Sequence, residues 1–276
     1  MNNKCKIVSE LCANHIGSIK VCKEMILQSK LAGADFIKLQ KRDLSHYPKK
    51  WDIIYNSENS FGTTYIEHRR YLEFSIEQHK ELKEYAESIN IDYSTSVWDI
   101  ESAKQIKELK PKYIKIPSAF NNDYKLIGYC LKHYSQVHVS LGMATKNERN
   151  TLLNYLKDYK NKVVIYWTTS TYPSKFEELF LLEIKNIKEQ GFVAGFSGHH
   201  LGIAADISAL TLKAEWIERH FSLDRTMKGT DQAAGLEGQG LNKLIRDIRA
   251  TEKALTYKGE DITDGEKKNR DKLRTN

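Results

Sequence analysis

Two lysines stand inside short apolar runs, Lys38 in FIKLQ and Lys115 in YIKIPS. An ammonium among apolar neighbours is costly unless something answers its charge. Other polar groups recur in runs of the same kind. Glu10 closes KIVSE, Ser197 and His199 lie two apart in VAGFSGH, and Glu218 and His220 lie two apart in EWIERHFS. Residues two apart on a strand share a face, which pairs Lys38 with Gln40, Ser197 with His199, and Glu218 with His220. Hydroxyls at Thr95, Ser118, Ser140 and Thr169 stand at the ends of further runs. Each has a structural explanation by itself. A strand-end lysine can run its stem to solvent, a serine can cap a helix, and a histidine can be a satisfied part of a core. Together, two cations, several hydroxyls and two imidazoles describe a site for an anionic, phosphorylated substrate handled with a metal ion. His199 and His220 would supply two nitrogens to one divalent ion, leaving positions open for water and substrate oxygens. His15 and His200 compete for that role, but His200 follows His199 directly and in extended chain would face the other way. Manganese, cobalt, iron, zinc and magnesium all fit such a site.

A parallel barrel would bring these residues to one place. Eight short β-branched runs occur at 6–11, 35–40, 92–97, 112–118, 136–142, 162–169, 193–199 and 215–222. Between and after them lie helix-like stretches at 18–32, 76–89, 99–109, 123–132, 146–159, 177–190, 202–213 and 240–256. Alternation of this kind gives the fold class α/β and the architecture (β/α)8, a TIM barrel. An open doubly wound sheet would carry a glycine-rich turn after its first strand, and CANHIGS lacks one. In a barrel the C-terminal strand ends form the active site, and those ends hold the residues above. The expected organisation is a catalytic barrel over 1–257, a long insertion at 41–73 and a polar, exposed tail over 258–276. The insertion contains Trp51, Tyr55, Tyr65 and a basic EHRR segment, and long loops after barrel strands build the site rim.

The rest of the composition narrows the function. The 276 residues are 40% hydrophobic and 29% charged, a globular balance rather than a disordered or fibrous one. The net charge of +7 comes from lysines scattered among acids, without a run of five basic residues. That argues against nucleic acid as a partner and favours a small anionic substrate. No apolar stretch approaches the ~20 residues of a membrane span, and the N-terminus enters a strand-like run without a signal-peptide core. Cys5, Cys12, Cys22 and Cys130 form no CxxC pair and read as reduced thiols of a cytoplasmic protein.

The motifs SELCANHIGS, ADFIKLQK, STSVWD, YIKIPSAFNN, VSLGMAT, TSTYPS, GFSGHHLG and WIERHFSLDRTMKGTDQ occur in order between residues 6 and 257. In this the chain resembles the N-acetylneuraminate (sialic acid) synthases and their relatives that make other nonulosonic acids. The resemblance implies a transferase that condenses phosphoenolpyruvate with the open-chain aldehyde of N-acetylmannosamine or a related hexose derivative. It places phosphoenolpyruvate on Lys38, Thr95, Lys115, Ser118, Ser140 and Ser197, and puts Ser170 where the family usually has an asparagine. It gives His199 and His220 a divalent metal, manganese in the first place with magnesium or cobalt as alternatives, which polarises the aldehyde. It makes Glu10 the group that positions or deprotonates water, and assigns Gln40, Tyr172, Glu218 and Asp231 to the sugar. STSVW for an STPFS-like segment and KIPSAF for KIGSGE are further departures. Longer relatives continue into an antifreeze-like domain that lends an arginine to the partner subunit's sugar site. EKKNRDKLRTN stands where that linker would begin, so a short form without the domain is expected. A homodimer stays open, and the 41–73 insertion, through Trp51 or Arg69, is the expected replacement for the missing arginine.

Other readings remain beside this one. A synthase of another 3-deoxy-ulosonate, acting on a different or phosphorylated sugar, would share the phosphoenolpyruvate half. A Schiff-base aldolase would use Lys38 or Lys115 on a carbonyl, would survive chelation and would be trapped by borohydride. A non-catalytic sugar-binding relative would have no need for a water-activating glutamate beside a metal.

Overall fold

The computed structural model describes residues 4–45, 47–55 and 58–275, so His46, Asn56 and Ser57 of the expected insertion fall outside the described residues. Eight parallel strands close on themselves in sequence order. They are β1 (Lys6–Glu10), β2 (Phe36–Lys41), β3 (Asp92–Val97), β4 (Ile114–Ile116), β5 (Val137–Ser140), β6 (Val163–Thr168), β7 (Val193–Gly198) and β8 (Trp216–His220). The fold is a (β/α)8 TIM barrel. Helices α1 (Ile19–Ala32), α2 (Tyr65–Leu72), α3 (Ile76–Ser88), α4 (Ile100–Lys107), α5 (Tyr124–His133), α6 (Lys146–Leu156), α7 (Glu183–Glu189), α8 (Ala204–Thr211), α9 (Gly238–Ala254) and α10 (Asp264–Leu273) follow in chain order. All but α2 and α10 fill the positions between and after the strands.

Local chemistry sets the boundaries. Ser18 accepts from the Val21 amide at the start of α1, and Gly33, at φ 96°, ends that helix in a left-handed turn. Thr64 with Glu67, Ser75 with Gln78, and Thr145 with Glu148 form capping boxes at α2, α3 and α6. The stretch 177–190 reads as one helix in sequence, but α7 begins only at Glu183. Trp167 Nε1 donates to the Leu179 carbonyl at 2.7 Å, Thr169 Oγ1 to the Glu178 carbonyl at 2.6 Å, and Phe180 sits at φ 45°. Side chains in and just after β6 thus hold the chain in a turn where periodicity alone suggests helix. Within 41–73 the segment forms a short 3-10 turn at Lys49–Asp52 and then α2. Beyond α9, α10 contributes no buried residue.

Strand alternation sorts the side chains into an outer and an inner set. Outward residues such as Ile7, Ile37, Leu39, Ile114 and Ile165 pack under the helices. Inward residues rise in layers. At the bottom, Phe36, Tyr113 and Trp216 close the barrel with ring centroids 5.2–5.3 Å apart, alongside Val8 and Val164. One step up, six of the eight strands present Glu10, Lys38, Lys115, Ser140, Ser197 and Glu218. The register sets Glu10 opposite Lys38 and Ser197 opposite Glu218. The apolar floor therefore carries a charged layer.

A second buried charge lies outside the barrel wall. Arg219 points outward from β8 and is 1% exposed. Its guanidinium reaches Asp206 Oδ2 at 2.5 Å, the Gly202 carbonyl at 2.8 Å and the His200 carbonyl at 2.7 Å. This clamp ties the turn after β7 to β8. Asp206→Ala would leave the guanidinium without its counter-ion, which typically costs about 3–5 kcal/mol. Urea unfolding should register that loss, and a change under about 1 kcal/mol would show that the clamp does not hold the two strands together.

Candidate active site

The strand C-termini surround a cavity of about 210 Å³. Lining it are Glu10, Lys38, Gln40, Lys115, Ser118, Ser140, Ser170, Tyr172, Ser197, His199, Glu218, His220 and Asp231. Among the expected hydroxyls Thr95 and Thr169 do not line it, and the other expected catalytic, substrate and metal residues come together there. Thr95 is fully buried on the wrong face. It pairs in register with Leu39 and Ile114, whose side chains lie under the helices, whereas Ser96 pairs with Gln40 and Lys115 and lines the cavity. DYSTSV offers a hydroxyl in either phase, so only its register against β2 shows that Ser96 is the inward one. Likewise Thr168 lines the cavity, while Thr169 bonds back to the turn at Glu178.

Both lysines have their answering charges. Lys38 Nζ lies 2.5 Å from Glu10 Oε2 and 3.5 Å from Glu218 Oε1, and Lys115 Nζ donates to Glu218 Oε1 at 2.7 Å. All four residues are at most 4% exposed. Ser197 donates to Glu218 Oε1 at 3.2 Å, Gln40 Nε2 donates to Glu10 Oε1 at 3.0 Å, and Arg42 donates to Gln40 Oε1 at 2.6 Å. Burial lowers the Lys38 pKa, but Glu10 and Glu218 outweigh it and hold the group above the usual lysine range. Lys115 is carried down to about 8 by burial, reinforced by the Lys38 charge and opposed by Glu218. Burial also acts on Glu218, yet Lys115 and Lys38 win and draw it down to about 2. Glu218 Oε2 remains buried without a hydrogen-bond partner among the described residues.

Hydroxyls crowd the other wall. A methyl group built on Gly142 would lie 2.6 Å from Ser118 Oγ and closer still to Ser170 Oγ. The two serines therefore converge on a glycine that leaves room for both. Asn121 Nδ2 donates to the Ser140 and Gly142 carbonyls at 3.0 and 2.9 Å and fixes that strand end.

The histidines face each other across β7 and β8, with ring centroids 5.2 Å apart, and Tyr172 covers His199 at 4.1 Å. His199 Nδ1 donates to the Thr169 carbonyl at 2.7 Å, leaving Nε2 with its lone pair. Burial and the adjacent His220 push the His199 pKa well below the usual value, so the ring is neutral. His220 Nδ1 is buried with no hydrogen-bond partner among the described residues. A neutral imidazole beside a second ring with an unpartnered nitrogen suits a divalent ion. Among the described residues, Cys12, His220 and Asp231 bring ligand atoms within 4.8 Å of one another, so the three-donor group contains His220 but not His199. The competing histidines lie elsewhere. His15 stacks on Phe74 at 4.1 Å, and His200 sits against Arg219 and Asp206.

Arg42, Trp98 and Ser96 also line the cavity and were not among the expected site residues. Arg42 continues the two-residue step of Lys38 and Gln40 past the strand end, a signal present in the sequence. Its guanidinium stacks 3.6 Å from the Trp98 ring, and burial, with Arg69 adding to it, lowers its pKa to about 10. From the insertion, Arg69 reaches the cavity, whereas Trp51 packs edge-on to Tyr65 at 5.1 Å.

Known proteins share the sequence and the fold of this chain. The N-acetylneuraminate-9-phosphate synthase of Mus musculus is 35% identical over 91% of this chain and 71% of its own length. The N,N'-diacetyllegionaminic acid synthase of Campylobacter jejuni is 31% identical over 91% of this chain and 78% of its own. The crystal structure of the N-acetylneuraminic acid synthetase of Leptospira borgpetersenii superposes with a TM-score of 0.84 at 25% identity, covering all of this chain and 94% of that one. The NeuB family profile matches residues 25–260. By sequence and by fold, the chain belongs to the NeuB family.

Proposed function

We propose that this enzyme condenses phosphoenolpyruvate with the open-chain aldehyde of N-acetylmannosamine or a related hexose derivative and releases inorganic phosphate. The observation that carries the reading is the buried layer of Lys38, Glu10, Lys115 and Glu218 above an apolar floor. Two ammonium groups aimed into a cavity, each held by a carboxylate, suit a ligand with both a carboxylate and a phosphate. Ser96, Ser118, Ser140, Ser170 and Ser197 would orient its oxygens. As the anion takes the lysines, Glu10 gives up part of its ion pair and is freed to engage water.

His199 and His220 would hold a divalent ion, manganese in the first place, whose contribution when bound is to polarise the aldehyde oxygen. Gln40, Tyr172, Glu218 and Asp231 would hold the sugar open and turned toward the enol. Carbon 3 of phosphoenolpyruvate then forms the new bond to the aldehyde carbon, whose oxygen gains a proton and becomes a hydroxyl. Positive charge is left at carbon 2. Glu10 takes a proton from the water that adds there. The resulting hemiketal phosphate breaks its carbon–oxygen bond, leaving a 2-keto acid and inorganic phosphate. Both substrates are small molecules, and the reaction belongs in the cytoplasm, where phosphoenolpyruvate is made. No described helix is long and apolar enough to cross a membrane.

A phosphorylated acceptor is the second reading. It draws support from Arg42 and Arg69 at the cavity and from relatives named for a 9-phosphate product. Phosphate release from phosphoenolpyruvate, measured with manganese against a panel of hexosamines and their 6-phosphates, separates the two. Release with neither class would overturn the proposal, and His199→Ala or His220→Ala turning over at the wild-type rate would overturn the metal assignment.

The Lys115 pKa gives a pH profile. Below about 8 the free enzyme carries both ammonium charges, and above it Lys115 is neutral. Because kcat/KM reports the free enzyme, its value for phosphoenolpyruvate should fall as pH rises through about 8, and Lys115→Met should remove that limb. Gly142→Ala should displace Ser118 and Ser170 and raise KM for phosphoenolpyruvate about tenfold or more, or about 1.4 kcal/mol. An unchanged KM would mean those hydroxyls do not touch the anion.

A further inference from the structure

The loop leaving β1 brings Cys12 to the metal side of the cavity. Its thiol is 1% exposed, and its Sγ, a His220 ring nitrogen and an Asp231 oxygen lie within 4.8 Å of one another. Separate contacts hold the three segments in this arrangement. Phe221 N donates to the Glu10 carbonyl at 2.8 Å, Asn14 Nδ2 donates to the Phe221 carbonyl at 2.8 Å, and Gln232 Nε2 donates to the Asn14 carbonyl at 3.1 Å. The β1 loop carrying Cys12, the end of β8 carrying His220 and the turn carrying Asp231 are thus cross-linked. Independently of the cluster, His220 Nδ1 is buried with no hydrogen-bond partner among the described residues. A buried imidazole nitrogen without a partner, beside a thiol and a carboxylate, has the donor set of a transition-metal site rather than of a packed core.

We infer that Cys12 is a protein ligand of the divalent ion, binding as a thiolate together with His220 and Asp231, and that it biases the site toward thiophilic ions over magnesium. The thiol proton passes to solvent as the ion enters. His199, its ring 5.2 Å from that of His220, is at hand as a further donor. A sulfur ligand disfavours magnesium, whereas an oxygen and imidazole set leaves it competitive. Asp231 then has a task at the ion in addition to any contact with the sugar. The inference rests on the metal-holding part of the proposed function and not on the reaction.

Cobalt(II) is the probe, because its bond to a thiolate gives an intense near-ultraviolet charge-transfer band that oxygen and nitrogen ligands do not. The chelator-treated full-length protein is titrated with cobalt chloride without substrates. The band is expected in the wild type and in Cys130→Ser, and should be absent from Cys12→Ser. Cobalt affinity relative to magnesium, from competition titrations, should drop about tenfold or more in Cys12→Ser. Wild-type protein that binds cobalt without the band, or fails to bind it, overturns the inference whatever the variants do, so it does not depend on Cys12→Ser folding. A band that persists in Cys12→Ser overturns it too. A band without phosphate release from any sugar would count against the reaction alone, and phosphate release without a band against the sulfur ligand alone.

Discussion

The site depends on burying two lysines and two glutamates in one layer of a barrel. None of the four is tolerable alone, since an isolated buried charge costs several kcal/mol and a buried pair repays it only with good geometry. Glu218 meets both lysines and Ser197 through one oxygen, Glu10 meets Lys38, and Gln40 occupies the other Glu10 oxygen. The layer is close to neutral without ligand, yet both ammonium groups still line the cavity. Such an arrangement is stable when empty and electrostatically ready for a polyanion. In the proposed reaction it would also link binding to catalysis, because whatever competes for Lys38 would loosen its pair with Glu10.

The surrounding structure keeps that layer in register. The aromatic floor of Phe36, Tyr113 and Trp216 excludes water from below, so the ion pairs act in a low dielectric. On the outer face of β8, Arg219 sits between Glu218 and His220 in sequence and fastens the turn that follows His199. One strand thus carries a carboxylate and an imidazole inward and the clamp for its neighbour's imidazole outward. Across the cavity, Gly142 leaves room for two serine hydroxyls that any side chain would displace.

Much of this was legible in the sequence. Eight β-branched runs separated by helical stretches specify the barrel, and the two-residue spacing of Ser197 with His199 and of Glu218 with His220 puts those pairs on inward faces. The need for counter-charges at Lys38 and Lys115 was visible in their apolar flanks. Their identity was not, because Glu218 is 103 residues from Lys115 and only barrel closure brings them together. Thr95 and Ser96 could not be separated by alternation within β3, since hydroxyls occupy both phases. Their roles follow from register against β2, a pairing property with no local signature. Cys12 likewise reads as one more buried thiol until the β1 loop and the turn at Asp231 are folded against each other.

If Glu10 directs water to carbon 2 of the enol, phosphate leaves with the oxygen that bridged it to carbon. Turnover of phosphoenolpyruvate labelled with oxygen-18 at that bridging position, with the labelled atom followed by mass spectrometry, tests this most directly. The label should appear in inorganic phosphate and be absent from the keto-acid product. Label retained in the keto acid would mean that water attacks phosphorus instead, and would contradict the role given to Glu10 and the buried layer around it.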